Sequence, residues 1–273
     1  MALSVVDLYR DILPASNCGE CGFPTCLAFA GRVVADRLDL EKCPHVAPER
    51  LEACRRELEE QYREGRWTRR DMAADALEWA RKRSASVDLH DLPDRLGGRL
   101  VADGTTTLFE LPYFNSFVLI GKDFIKKSDG SDLTRWEQVF IYNHLAQGGN
   151  QVPVGKWKGL VEFPNTVSKI KSMVEQVETP LIQRFRGKID ELKQTVAAIG
   201  GIDRTKDGET SGLTFYFQPL PRVPITLMFW DEDLEDGFEP MVKLLFDETV
   251  IEHLDIESIL FLSERLRQLL CGQ

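Results

Sequence analysis

Apolar positions along this chain change their period more than once. Residues 4–13, SVVDLYRDIL, read as a short helix capped by Ser4 or Asp7. From Thr25, residues Leu27, Ala30, Val34 and Leu38 recur three and four apart with charged residues between them, the mark of an amphipathic helix. Residues 48–64 form another, with Pro48 in its first turn and Gly65 as its stop. Thr68 to Ser84 begins with a Thr-x-x-Asp cap and puts Met72, Ala76, Leu77 and Ala80 on one face. Residues 1–84 thus read as a small all-helical domain. The period disappears over residues 85–98, which carry Pro93 and Gly97-Gly98 and read as a linker.

The pattern then shortens. GRLVADGTTTLFELP predicts a hairpin around Asp103-Gly104, and FNSFVLIG a third strand. Asp132 or Ser131 is placed to cap a helix, LTRWEQVFIYNHLAQGG, closed by Gly148-Gly149. WKGLVEFP predicts a short strand and NTVSKIKSMVEQV a helix. Thr179-Pro180 opens a longer helix to Gly200-Gly201 with the stripe Leu181, Phe185, Ile189, Leu192, Val196. After a polar loop, LTFYFQPL and VPITLMFW are dense apolar strands. EPMVKLLFDETVIEHL is ambiguous and partly helical, and Asp255 caps a last helix, IESILFLSERLRQLL. Strands beside strands and helices in blocks predict an α+β fold: a helical N-terminal domain, then a larger domain over residues 99–273 with an antiparallel or mixed sheet and flanking helices.

The chemistry sits in the first domain. Cys18, Cys21 and Cys26 fall in a C-x2-C-x4-C arrangement, and Cys43 follows after sixteen intervening residues. A cubane cluster takes one thiolate per iron. Gly19 and Gly22 each follow a candidate ligand, where positive φ turns backbone N–H groups toward the cluster sulfurs. Seventeen helical residues would rise roughly 25 Å, too far for both ends to touch one cluster. The helix is therefore expected to stop near Asp36, with Leu38 to Lys42 running back to deliver Cys43 and Pro44 blocking any continuation. Structural zinc, a redox disulfide pair and buried free thiols are the alternatives, although zinc sites usually pair two C-x2-C knuckles.

The run NCGECGFPTCLAFA…CP resembles the four-cysteine iron–sulfur module of the corrinoid iron–sulfur protein large subunit, and the cluster domain in the B subunit of the Rnf electron-transport complex. The likeness covers about the first 45 residues. It implies that Cys18, Cys21, Cys26 and Cys43 ligate one [4Fe–4S] cluster. No corrinoid-binding barrel or second ferredoxin motif follows. Through WEQVFIYNHL and PITLMFWDEDLE, the remainder resembles an uncharacterised C-terminal domain found fused to this module.

Composition narrows the partners. A formal net charge of −10 and the lack of a basic stripe disfavour nucleic acid and anionic membrane surfaces. The N-terminus does not read as a signal peptide, and no stretch nears the ~20 apolar residues of a spanning helix. With reduced thiolates this predicts a cytoplasmic protein, and the oxygen sensitivity of exposed cubanes suggests anaerobic metabolism. Cys54, on a stripe with Leu51, Leu58 and Tyr62, reads as core, and Cys271 has no assigned role. His144 shares a helix face with Trp136 and Phe140, so it is either a satisfied core histidine or an axial ligand to a haem or corrinoid; His253 is a second such candidate. His45, after the last Cys-Pro, is placed to tune the cluster through a hydrogen bond. His90 reads as solvated. The acidic run Trp230 to Glu239 has its glycine one position late for an EF-hand and reads as a surface turn. No nucleotide-binding or hydrolase motif occurs.

Three functional readings follow. The leading one is low-potential electron transfer from a [4Fe–4S] cluster to a redox partner protein or to a cofactor in the C-terminal domain. The second is a corrinoid- or haem-binding protein or enzyme whose cofactor the cluster keeps reduced, through His144 or His253. The third is a structural cluster on a protein-interaction module.

Overall fold

The computed structural model describes residues 3–65, 71–104, 106–206, 212–233 and 237–272. The chain divides into two compact units, Met1–Met72 and Ala73–Gln273, each with its own hydrophobic core.

In the first unit, α1 (Val5–Asp7) is a single turn. It is closed by a reciprocal cap in which the Asp7 N–H donates to Ser4 Oγ and the Ser4 N–H to the Asp7 carboxylate. The chain continues as a wider π turn over Leu8–Ile12, which buries Leu8. Next come α2 (Cys26–Asp36) and α3 (Pro48–Arg63). Leu8, Phe29, Ala30 and Val33 are essentially sealed from solvent, and Cys54 and Leu58 of α3 close over them. Each such aliphatic or aromatic side chain stabilises the unit by about 2 kcal/mol. The Tyr62 hydroxyl donates to the Val33 carbonyl at 2.5 Å, so the last turn of α3 is tied to α2. Cys54 is core, as its stripe predicted.

The second unit begins earlier than the composition suggested. Helix α4 (Met72–Ser84) was expected to belong to the N-terminal domain, yet Ala80 is fully buried in the second core with Ala76 and Leu77 against it. Its expected cap, Thr68, lies outside the described residues. The aperiodic stretch 85–98 is also more than a linker: a 3-10 turn (Leu89–Asp91) and α5 (Leu92–Leu96) bury Leu92 and Leu96 completely. Two leucines in five residues give too short a run for helical periodicity to show.

Strands β1 (Arg99–Asp103), β2 (Thr106–Tyr113), β3 (Ser116–Ile120) and β4 (Ile125–Lys127) form an antiparallel meander in chain order. Strand β4, three residues long, was not foreseen. Gly98 enters β1 at φ +90°, where a Cβ would stand 2.5 Å from the Glu110 carbonyl oxygen, so only glycine permits the approach. A second antiparallel sheet has the order β5-β9-β8-β7-β6: β5 (Trp157–Gly159), β9 (Met241–Asp247), β8 (Val223–Trp230), β7 (Leu213–Leu220) and β6 (Ile202–Asp203). One face of this sheet is Phe215, Phe217, Ile225, Leu227, Phe229, Val242, Leu244 and Phe246, all buried. Both sheets are antiparallel, and the fold is α+β.

Helices α6 (Arg135–Gln147), α7 (Val167–Met173), α8 (Thr179–Phe185), α9 (Ile189–Ala198) and α10 (Ile256–Cys271) complete the core. The cap of α6 is Thr134 in a reciprocal box with Glu137, in place of Asp132 or Ser131. The long helix expected from Thr179 to Ala198 is two, broken at Gly187 with φ +67°. The ambiguous run 239–254 is strand β9 followed by a 3-10 turn, Glu248–Glu252. Asp255 caps α10 as expected, accepting from the Ser258 N–H at 2.8 Å. In the acidic run 230–239, Asp233 and Phe238 pair backbone to backbone across the turn, and residues 234–236 lie outside the described residues.

Candidate metal centre

Residues 14–25 form the loop that carries the first cysteines. Ala15, Asn17, Gly19 and Gly22 all have positive φ, from +52° to +84°, so the backbone coils on itself within a few residues. The Gly22 N–H closes a turn onto the Gly19 carbonyl at 2.9 Å. Thr25 then caps α2, its Oγ1 accepting from the Ala28 N–H at 3.1 Å. Cys26 is the first helical residue, at the N-terminal end of α2. The Asn17 side-chain oxygen accepts the Cys26 N–H at 2.9 Å and holds the loop over the helix end.

The return path follows the expected course. Helix α2 stops at Asp36 because Arg37 turns left-handed, φ +55°. A single 3-10 turn, Leu40–Lys42, capped by Asp39, brings back Cys43. Cys26 and Cys43 are buried at 5% and 4% exposure, Cys21 is half-buried and Cys18 is exposed. Burial pushes the Cys43 thiol above its ordinary value, the His45 N–H draws it back, and Cys21, Cys26 and Cys18 raise it again. Cys21, Cys26 and Cys18 are thus near enough to Cys43 for their charge to act on it. That donor set fits an iron–sulfur cluster, whose irons take one thiolate each.

His45 contributes differently from the expectation. Its backbone N–H bears on the Cys43 thiol, whereas its ring nitrogen Nε2 pairs with Glu20 at 3.0 Å. The ligating atoms of Cys18, Glu20 and His45 lie within 4.8 Å of one another on the exposed side of the loop. Neither Asn17 nor Glu20 was singled out from sequence. An asparagine just before a cysteine-glycine pair was the available signal for Asn17, since asparagine tolerates left-handed backbone.

The other candidate residues lie in the second unit. His144 Nδ1 bonds the His253 carbonyl oxygen at 3.1 Å, and His253 Nε2 bonds the Gln151 carbonyl oxygen at 2.9 Å. Carbonyls only accept, so those nitrogens carry the protons. The remaining nitrogens, His144 Nε2 and His253 Nδ1, are bare and have no partner among the described residues. Burial lowers the His144 pKa to about 4 and lowers that of His253 too. Both residues have zero exposed surface, so neither ring opens to bulk solvent. The rings do not fit a haem or corrin, which needs an open face at the ligating nitrogen.

An Fe-S cluster family matches residues 13–45, the span that holds all four cysteines. The corrinoid/iron-sulfur protein large subunit of Moorella thermoacetica is 45% identical over 53 residues, covering 19% of this chain and 12% of that one. The acetyl-CoA decarbonylase/synthase complex subunit gamma of Methanopyrus kandleri is 44% identical over 50 residues, covering 18% and 11%. The same subunit of Methanocaldococcus jannaschii is 38% identical over 42 residues, covering 15% and 8%. The chain thus spans about a tenth of the length of these curated relatives. No solved structure matches. Fold, cysteine cradle and relatives together define an iron–sulfur protein. More particularly, the chain belongs to the family of the domain of unknown function DUF3786, whose model matches residues 88–269. Among the described residues, no helix is long and apolar enough to cross a membrane.

Proposed function

We propose that Cys18, Cys21, Cys26 and Cys43 hold one [4Fe–4S] cluster and that the protein is a low-potential electron carrier for a partner protein. The observation that supports this reading is a glycine-bent loop carrying Cys18 and Cys21 into the helix that starts at Cys26, with a 3-10 turn returning Cys43. When bound, the cluster supplies one-electron redox chemistry at a potential set by hydrogen bonds and exposure. Cys26 and Cys43 anchor it from the core, and Cys18 leaves one corner open to solvent for electron exchange. The partner is argued by analogy, because the relatives named above are subunits of larger assemblies. The corrinoid in the name of the Moorella thermoacetica subunit is not carried over, since the match covers only 12% of that subunit. Anaerobic purification followed by iron, sulfide and zinc analysis and electron paramagnetic resonance tests the reading. About four irons per chain and a signal on dithionite reduction are expected. Colourless, zinc-loaded protein overturns it.

A second reading is favoured by one observation: Cys26 and Cys43 belong to the same apolar cluster as Leu8 and Phe29. A cluster bound there would also staple the first unit. If that is its whole role, dithionite leaves the iron centre unchanged while Cys43→Ser unfolds the unit.

A further inference from the structure

The second unit contains a cleft of about 770 Å³ between the end of α4, the turn after it, the β3–β4 corner and α6. Its floor is apolar, with Leu92, Ile120 and Leu145 all buried at 4% exposure or less. Tyr142 is 6% exposed, lines the cleft, and its hydroxyl has no protein partner among the described residues. The hydroxyl oxygen is not itself sealed from solvent, so a ligand in the cleft competes for it with water.

The rim carries charges of both signs. The Arg81 guanidinium stands 5.7 Å from the Tyr142 ring centroid and spends one N–H on the neutral Gln138 Oε1 at 3.1 Å. Lys122, from the β3–β4 corner, has no acidic partner among the described residues. Of the other charges there, Lys82 pairs with Glu78 at 2.6 Å and Asp88 pairs with the His90 ring at 2.9 Å, so Asp88 and Asp123 are the acids of the rim. Two uncommitted cations and a phenol donor over an apolar floor are unusual on a chain of net charge −10. A pocket of this size with few convergent polar groups is the common form of a small-molecule site.

We infer that this cleft binds a small organic anion: an apolar body on the Leu92–Ile120–Leu145 floor, and a carboxylate or phosphate held by Arg81, Lys122 and the Tyr142 hydroxyl. The site is separate from the cysteine loop and does not depend on what that loop holds.

Two fluorescent probes with one ring system test it. 8-Anilinonaphthalene-1-sulfonate carries an anionic group that stands in for carboxylate or phosphate, and N-phenyl-1-naphthylamine lacks it. The full-length protein is expected to bind the anionic probe one to one, on the order of tens of micromolar, and the neutral probe roughly 10-fold more weakly. Arg81→Gln with Lys122→Gln is expected to weaken the anionic probe about 10-fold and leave the neutral one unchanged. Tyr142→Phe, which keeps the ring, should weaken it about 3-fold. Ala85→Trp, at an exposed position on the cleft wall, should block both probes while circular dichroism stays native. Equal binding of the two probes overturns the inference, as does anionic binding indifferent to Ala85→Trp and the double variant.

Discussion

The side-chain oxygen of Asn17 accepts the backbone N–H of Cys26 at 2.9 Å, bridging nine residues of sequence. Asn17 itself sits at φ +52°. Asn17→Ala should therefore cost about 2 kcal/mol, roughly half from the lost hydrogen bond and half from forcing alanine into left-handed backbone. Asn17→Gly should recover the backbone share. Denaturant midpoints of the first unit and iron retained per chain measure both effects.

The cysteines separate into two chemical classes. Single Cys→Ser changes at positions 18, 21, 26 and 43 should each lower bound iron sharply, with the largest structural loss at the buried pair, Cys26 and Cys43. Cys54→Ala should keep the iron and cost about 1 kcal/mol through a small cavity in the α3 core. Iron analysis beside thermal unfolding separates the two outcomes.

A buried acid organises the second unit. Glu137, 1% exposed, accepts from the Tyr113 hydroxyl at 2.9 Å and is ion-paired with Arg265, whose Nε stands 2.9 Å away, and its other oxygen takes the Thr134 N–H at 2.8 Å. Burial, the Glu137 charge and the hydrogen bond to it hold the Tyr113 phenol well above its ordinary pKa. Glu137→Ala strands Arg265 and uncaps α6, so a loss of about 3–5 kcal/mol is expected. Urea unfolding of the second unit checks it.

Acid should weaken this unit for a different reason. His144 is held neutral with its pKa lowered to about 4, chiefly by burial and next by the nearby charges of His253, Arg95 and Arg222 against the His253 carbonyl's pull. Below pH 6.5 the unfolded chain takes up a proton that the folded chain refuses. Stability is whole above that pH and falls by about 3 kcal/mol as pH drops toward 4. His144→Gln should flatten this slope while lowering stability at pH 8. Unfolding curves between pH 8 and pH 4.5 give the comparison.

The cysteine loop was the most legible part of the chain, because its constraints are local. The reach of a helix against the size of a cluster dictated the stop at Asp36, and Pro44 dictated the end of the return. What escaped was decided at a distance. Strand β9 reads MVKLLFD, an alternation of Val242, Leu244 and Phe246 that a following 3-10 turn blurs into a helical pattern. Strand β4 is three residues and β6 two, below the length at which a period of two is visible. Thr134 outcompeted Asp132 as a cap because Glu137, three residues on, completes the reciprocal pair. Helix α4 was given to the first domain and residues 85–98 to a linker, because their apolar faces do not reveal which core will receive them.

The unequal burial of the four thiols gives the cysteine cradle a front and a back. Cys26 and Cys43 are rooted among Phe29 and Val46, whereas Cys18 stands on a coil of short, small residues at the surface. On the proposed reading, oxidants, chelators and incoming iron would all meet the Cys18 corner first.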